Sequence, residues 1–411
     1  MGGRNDGAVK AMASGGRVHP AVITISAMLA LGLLGDSLLY SVLPLYAEEL
    51  GIPVIMVGWI LSINRWIRLV SNPIAARTFD RFAVHGPVFF SSLGAAVSTA
   101  AYAFPLGSIG FLAARVVWGF AFSHFRLGGY LVVMRTSRSV MGLAMGVRQA
   151  VARMGSAFTV IAGGLLIDTL GYQNGMLLLA GASALGLPLT VFLRRQLHGT
   201  GVDLQETGTN RREQEVVRWT LAPWFCCGAS FFTQLVSAGL VVSSLSVLLQ
   251  ERIGQSAQLA GLTLGIATIA GLVFSAHWLS ALVLSPAAGW IADRLGRRRP
   301  FIAVTILQAA ALFILAGVDW AAVTITSAVL FFVLSNFQRV LMDAAAADTA
   351  QGHDGARLIS RYNSFQDLGA ASGPILGYSL GAAVGFSTVY AAAALLVLAV
   401  AAVAVSRRAA G

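Results

Sequence analysis

Apolar residues run along this chain in long unbroken stretches, without the alternation of strands or the stripes of soluble helices. They occupy 20–46, 53–75, 86–104, 107–134, 139–167 and 172–193, and, after a polar interval, 218–249, 258–290, 300–318, 321–345, 360–384 and 386–405. Each is close to the ~20 residues needed to cross a hydrocarbon core. Lipid cannot satisfy free backbone N–H and C=O groups, so each run predicts a helix. The interval 194–217 carries charges of both signs, Gly and Thr, and no apolar period, which predicts a linker. The expected layout is a tail over 1–19, a six-helix bundle over 20–193, the linker over 194–217, a second six-helix bundle over 218–405, and a tail over 406–411.

Composition strengthens this picture. The chain is 57% hydrophobic and 11% charged, against about 45–50% and 25% in soluble domains; it has too few charges to cover a water-facing surface. The formal net charge of +11 raises nucleic acid as a partner, but the basic residues sit in short clusters between apolar runs. Those clusters fall in the terminal segments, the linker and loops 2–3, 4–5, 8–9 and 10–11, while the opposite loops hold only Arg252. That asymmetry predicts a multi-pass protein of the cell (inner) membrane with both termini in the cytoplasm. The bilayer, and not nucleic acid, is the expected macroscopic partner, and the chain is expected to act as a monomer. Cys226 and Cys227 are adjacent and face apart on a helix, so neither a disulfide nor a metal site is expected, and no cofactor is implied. No short apolar stretch with a cleavage site precedes the first run, which is expected to direct insertion itself.

The halves repeat each other. Pro73, Ala76, Asp80 and Arg81 after span 2 match Pro286, Gly289, Asp293 and Arg294 after span 8 at identical spacing. Gly155 and Gly163 in span 5 match Gly369 and Gly377 in span 11. Duplicated halves are a transporter design, with the substrate site between them near mid-membrane.

These residues carry a resemblance. The run Gly289–Trp–Ile–Ala–Asp293–Arg294–Leu–Gly296–Arg297–Arg298–Arg299 resembles the loop motif of the major facilitator superfamily. Its counterpart in loop 2–3, through Asp80 and Arg81, is degraded: Ala76 and Ala83 replace the glycines, and Val84 and His85 replace the basic pair. Arg115 with Gly119 in span 4, and Asp36 eight residues before Pro44, are similar to elements of drug–proton antiporters. Gly369–Ala–Ala–Ser–Gly373–Pro374 resembles the antiporter Gly-Pro motif, although that motif belongs to span 5, where this chain lacks the proline. The resemblance implies an all-α membrane protein with twelve transmembrane helices in two pseudo-symmetric six-helix bundles. It also implies conformational switch loops built on Asp80, Arg81, Gly289, Asp293, Arg294, Gly296 and Arg297. Arg297 to Arg299 serve equally well as topological charges that hold the orientation. Gly119, Gly155, Gly369, Gly373 and Pro374 are read as helix packing or hinge positions, since small residues let helices approach closely.

Charges inside the spans point to the chemistry. An Arg at the centre of a membrane helix costs at least about 2.5–3.5 kcal/mol, which is normally met by pairing or by a wet cavity. Arg126 and Arg339 lie near a boundary and are expected to snorkel, Arg339 with Asp343 at i+4. Arg65, Arg68, Arg115, Arg148 and Arg153 lie deeper. Asn64 and Arg68 share a stripe of span 2 with Ser71 and Asn72, and Gln149 shares a face of span 5 with Arg153 and Ser156. At 1.5 Å rise per residue, Asp36 and Arg115 lie roughly 8 Å and 12 Å inside the same edge, close enough in depth to pair. A static ion pair and a proton-coupling pair are both consistent with that. The candidate path for substrate and proton comprises Asp36, Asn64, Arg65, Arg68, Arg115, Arg148, Gln149, Arg153 and Asp367. Guanidinium groups favour carboxylate and phosphate, so an anionic or zwitterionic small solute is expected, moved by alternating access with protons, most consistently as efflux. Uptake of an organic anion and a non-transporting sensor remain open. No phosphate-binding Gly-Lys loop, zinc-protease motif or nucleophile cluster occurs, so an enzyme is not expected.

Overall fold

A computed structural model of the protein describes residues 18–134, 141–198, 221–259, 262–295, 297–349 and 355–406. The chain forms a succession of helical rods whose ends follow the hydropathy breaks. Helix 1 is Pro20–Tyr46, and helix 2 runs as Val54–Trp66 and Arg68–Arg81 with a break at Ile67. Helices 3, 4 and 5 are His85–Tyr102, Gly107–Met134 and Met141–Leu170, and helix 6 is Tyr172–Ala184 continued by Gly186–His198. Helix 7 joins Leu221–Gln234 and Val242–Ile253 through a π-helical stretch, Leu235–Val241. Helices 8 to 12 are Ile266–Leu295, Arg298–Gly317, Ala321–Thr349, Gly355–Val384 and Phe386–Ser406. Ten of these rods are long and apolar enough to cross a membrane.

Two boundaries differ from expectation. Helix 6 continues past Leu193 to His198, so the polar interval begins helical; residues 199–217 lie outside the described residues, as do 1–17 and 407–411. The apolar stretch from 258 is not yet helix. Strand β1 (Ser256–Leu259) pairs antiparallel with β2 (Leu262–Gly265), and helix 8 starts only at Ile266. Leucines carry the hydropathy through this segment, but the backbone groups of β1 and β2 pair with each other.

The halves show the same internal packing. In the first, Gly155 and Gly163 of helix 5 abut Ala30 and Leu38 of helix 1. In the second, Gly369, Gly373 and Gly377 of helix 11 abut Phe231, Gly239 and Leu240 of helix 7. A β-carbon at any of these glycines would meet the neighbouring helix, so their role here is close packing. Gly119 does the same for helix 4, pressed against Asn64 and Ile67 at the break in helix 2.

Between halves, helix 2 meets helix 11, helix 5 meets helix 8, and helix 1 meets helices 7 and 8. The apolar core is divided unevenly along these seams. At the end near loop 47–53, a single buried cluster joins both halves through Leu43, Ile52, Ile167, Leu248, Ile266 and Tyr390. At the opposite end, near Val22 and Ala404, the core separates. One cluster, with Val22, Phe79, Phe125 and Leu193, belongs to the first half; another, with Cys227, Phe301, Met342 and Tyr362, belongs to the second. Both segments of helix 2 pack on helix 4, and Val54–Trp66 also packs on helix 11. The halves are therefore closed on each other at one end and parted at the other.

Candidate functional site

Between the halves lies a cavity of about 300 Å³. Its first-half wall carries Asp36, Tyr40, Arg65, Arg68, Arg126, Arg148 and Arg153; its second-half wall carries Ala238, Val242, Phe274, His277 and Trp278. Five arginines and one aspartate thus line one space, and all five arginines come from the first half.

The carboxylate is already engaged. Asp36 forms an ion pair with Arg115 and accepts a hydrogen bond from Asn64 Nδ2 at 3.2 Å. Arg115 is fully buried and lies behind Asp36, outside the cavity wall. Its Nε donates to the Ile60 carbonyl at 3.0 Å, and its Nη2 donates to the Tyr40 hydroxyl at 3.2 Å. Burial without a partner would be prohibitive for this cation; a carboxylate, a carbonyl and a phenol meet the demand.

The wall arginines are held in two ways. Arg68 lies over the Phe122 ring at 4.0 Å and Arg148 over the Tyr130 ring at 4.6 Å, a placement that offsets desolvation through the ring quadrupole. The buried Nε of Arg68 has no hydrogen-bond partner. Arg65 and Arg153 instead reach across the seam to backbone. Arg65 Nη1 donates to the Ala370 carbonyl at 2.7 Å and the Ala238 carbonyl at 3.1 Å, and Arg153 Nη1 to the Ala281 carbonyl at 2.9 Å. Pro374 lacks an N–H, so the carbonyl four residues earlier, that of Ala370, has no intrahelical donor. Ala238 lies in the π-helical turn, where the regular i to i−4 ladder is interrupted.

The path residues therefore fall into three groups. Asp36, Arg65, Arg68, Arg148 and Arg153 line the cavity, and Asn64 and Arg115 stand behind it. Asp367 is half-buried on helix 11, within electrostatic range of Arg68, but is not part of the wall. Gln149 departs from expectation: it is exposed and does not line the cavity. Arg148, Ala152 and Ser156, at four-residue spacing, centre the inward face of helix 5, and Arg153 joins them by its length. Arg126, read as a snorkelling residue, is a wall residue. Tyr40 and Tyr130 could have been found at i+4 from Asp36 and Arg126, and His277 as a lone histidine within a span; Phe274 and Trp278 sit in an apolar run that gives no signal.

At the closed end, Asp168 of helix 5 accepts from the Thr268 backbone N–H at 2.8 Å and from its hydroxyl at 2.6 Å. Thr268 lies in the first turn of helix 8, so a carboxylate of one half caps a helix of the other. Among the loop residues, Asp80 and Arg81 are exposed. Arg297 pairs with Asp348 of helix 10 at 2.9 Å, and Arg298 donates to the Ala404 and Val405 carbonyls ending helix 12. Arg294 is exposed. Gly296 lies outside the described residues, and Gly289 and Asp293 are described in backbone only, within helix 8.

Known proteins share this architecture. The chain is 28% identical over 375 residues to a multidrug resistance protein MdtG from Dickeya zeae (strain Ech586), covering 88% of each. It is 25% identical over 374 residues to the MdtG of Rahnella sp. (strain Y9602), covering 88% of this chain and 87% of that protein. Among solved structures it superposes on a bacterial homolog of the human lysosomal transporter Spinster, in an inward-facing, unoccupied conformation, with a TM-score of 0.73 at 12% identity over 93% of this chain and 95% of that one. A POT family transporter in complex with 5-aminolevulinic acid gives 0.74 at 14% identity over 94% and 95%. The family profile of the Major Facilitator Superfamily matches residues 25–278 and 267–410. This chain is a secondary transporter, not an enzyme, and belongs to the Major Facilitator Superfamily.

Proposed function

We propose that the protein exports a small organic anion or zwitterion by alternating access, coupled to protons. The observation that carries this reading is the charge of the cavity wall: five guanidiniums, with the one wall carboxylate already neutralised by Arg115. A carboxylate, phosphate or phosphonate is attracted by that field, and a lipophilic cation is repelled.

With both termini in the cytoplasm, as the arginine-rich loops favour, the parted end of the bundles opens to the cytoplasm. The relatives named as multidrug resistance proteins support export. The moving bodies are the bundles 20–193 and 218–405, joined by the linker 194–217.

Asp36 is the proton carrier in this scheme. A proton taken up by its carboxylate cancels the ion pair, while Arg115 keeps the Ile60 carbonyl and the Tyr40 hydroxyl as acceptors. The cation is not stranded when the acid is neutral, so the acid can load and release a proton without collapse of the site. A proton on Asp36 leaves the site with one more uncompensated positive charge, so proton and anionic solute favour each other's binding.

The test is transport in proteoliposomes with an imposed pH gradient and a panel of organic anions, zwitterions and cations. Accumulation of anions driven by the gradient and lost in Asp36→Asn is expected. Movement of organic cations without competition by anions would sink the reading, and binding without counterflow would leave a sensor.

A further inference from the structure

We propose that Arg65 and Arg153 are coupling residues: they brace the two halves when the cavity is empty, and the arriving anion takes them over and releases the brace. The inference rests on the anion reading above and adds how occupancy is passed to the bundles.

The cross-seam bonds at the cavity run one way. Donors are guanidiniums of the first half, and acceptors are backbone carbonyls of the second: Ala370 and Ala238 for Arg65, Ala281 for Arg153. Both arginines also line the cavity, so a solute there meets the same N–H groups that hold the seam. A neutral carbonyl is the weaker acceptor. Both bonds have a charged donor, but an anion adds a full opposite charge and can take the guanidinium in a bidentate grip that a single carbonyl lacks. An anion in the cavity therefore draws Arg65 and Arg153 from carbonyl to solute.

Pro374 is what makes Arg65 a brace. Without an N–H at 374, the Ala370 carbonyl must find a donor outside its own helix, and Arg65 supplies it at 2.7 Å. The same proline thus creates the acceptor that ties helix 11 to helix 2. When the anion removes Arg65, the buried Ala370 carbonyl loses its donor, a cost that the bidentate contact with the anion must exceed. Binding energy is spent on undoing a contact that exists in one conformation, which is how a ligand shifts a two-state equilibrium.

The opposing signs of two substitutions separate this role from simple packing. Arg65→Ala removes an anion donor and should weaken binding. Pro374→Ala supplies an N–H to the Ala370 carbonyl, frees Arg65 in advance, and should tighten anion binding by roughly three- to tenfold, the size of one ordinary hydrogen bond. In Arg65→Ala the proline substitution should have no such effect.

The experiment is calorimetric titration of the full chain in detergent with benzoate and phenylphosphonate, with benzamide as the neutral control. Pro374→Ala, Arg65→Ala and the double variant are each checked for an intact thermal transition, and Arg153→Gln serves as a second route to the brace. The expected result is anion binding that tightens in Pro374→Ala only when Arg65 is present. If the anions bind but Pro374→Ala leaves affinity unchanged, or tightens it equally without Arg65, the brace is overturned and the anion reading stands. If neither anion binds better than benzamide, both are overturned.

Discussion

Arg65 of helix 2 donates to Ala370 of helix 11 at 2.7 Å, filling the one carbonyl that Pro374 deprives of its helical donor. Two residues 305 apart in sequence are thus joined by a defect in one helix and a cation in another. Removing the cation leaves polar backbone at a seam. Arg65→Ala is expected to lower the stability of the protein by about 1–3 kcal/mol, the cost of an unsatisfied buried group, at the lower end where cavity water reaches it. Thermal unfolding in detergent measures this, and Arg65→Lys should recover part of the loss.

The Asp36–Arg115 pair predicts a rescue. Asp36→Asn leaves a buried cation short of its charge partner, and breaking a buried pair on one side costs about 3–5 kcal/mol. The bonds from Arg115 to the Ile60 carbonyl and Tyr40 hydroxyl reduce that penalty. Asp36→Asn should therefore fold, with a lowered thermal transition and no gradient-driven accumulation. Arg115→Gln combined with Asp36→Asn should regain stability but not coupling. A double variant no more stable than Asp36→Asn alone would show that the two residues do not act as a pair.

Asp168 predicts a change of population. Its carboxylate caps the first turn of helix 8 across the seam only while that end is closed. Because the side chain is exposed, Asp168→Ala should cost the closed end no more than about 0.5–1 kcal/mol. Spin labels on the exposed residues Glu49 and Gln255 should report a larger share of long distances in the variant. An unchanged distribution would mean that the contact is incidental to closure.

Gly58 predicts a wedge. A β-carbon there would lie 2.5 Å from the Pro374 carbonyl oxygen and 3.0 Å from Tyr378 Cβ. Neither backbone nor a packed tyrosine gives way easily, so Gly58→Val should hold helix 2 off helix 11. Solute exchange should fall severely, while anion binding survives, since Arg65 loses only its reach to the Ala370 carbonyl. Normal turnover in this variant would show that the close approach is not needed for the cycle.

Much of the fold was legible because a bilayer imposes a coarse rule: about 20 apolar residues make one crossing, and the helix ends follow those breaks. Where the rule stops, the prediction stopped with it. Ser256–Leu259 and Leu262–Gly265 lie where an apolar run was read as helix yet pair as strands, because hydropathy reports burial and not which backbone groups pair. The glycines of helices 5 and 11 announced close packing, and their partners in helices 1 and 7 completed the symmetry. Arg126 was misjudged because its distance from a boundary says nothing of which way the helix is turned.

The sequence alone determined that guanidiniums stand inside a membrane, that an acid and Arg115 share a depth, and that Pro374 leaves a carbonyl unsatisfied; these follow from composition, rise per residue and the missing N–H of proline. Which donor answers that carbonyl was decided by tertiary structure, as were the sealing of Arg115 behind Asp36 and the rings of helix 8 opposite the arginines. Those relations depend on the rotation and approach of helices from different halves, which packing sets and no local pattern encodes.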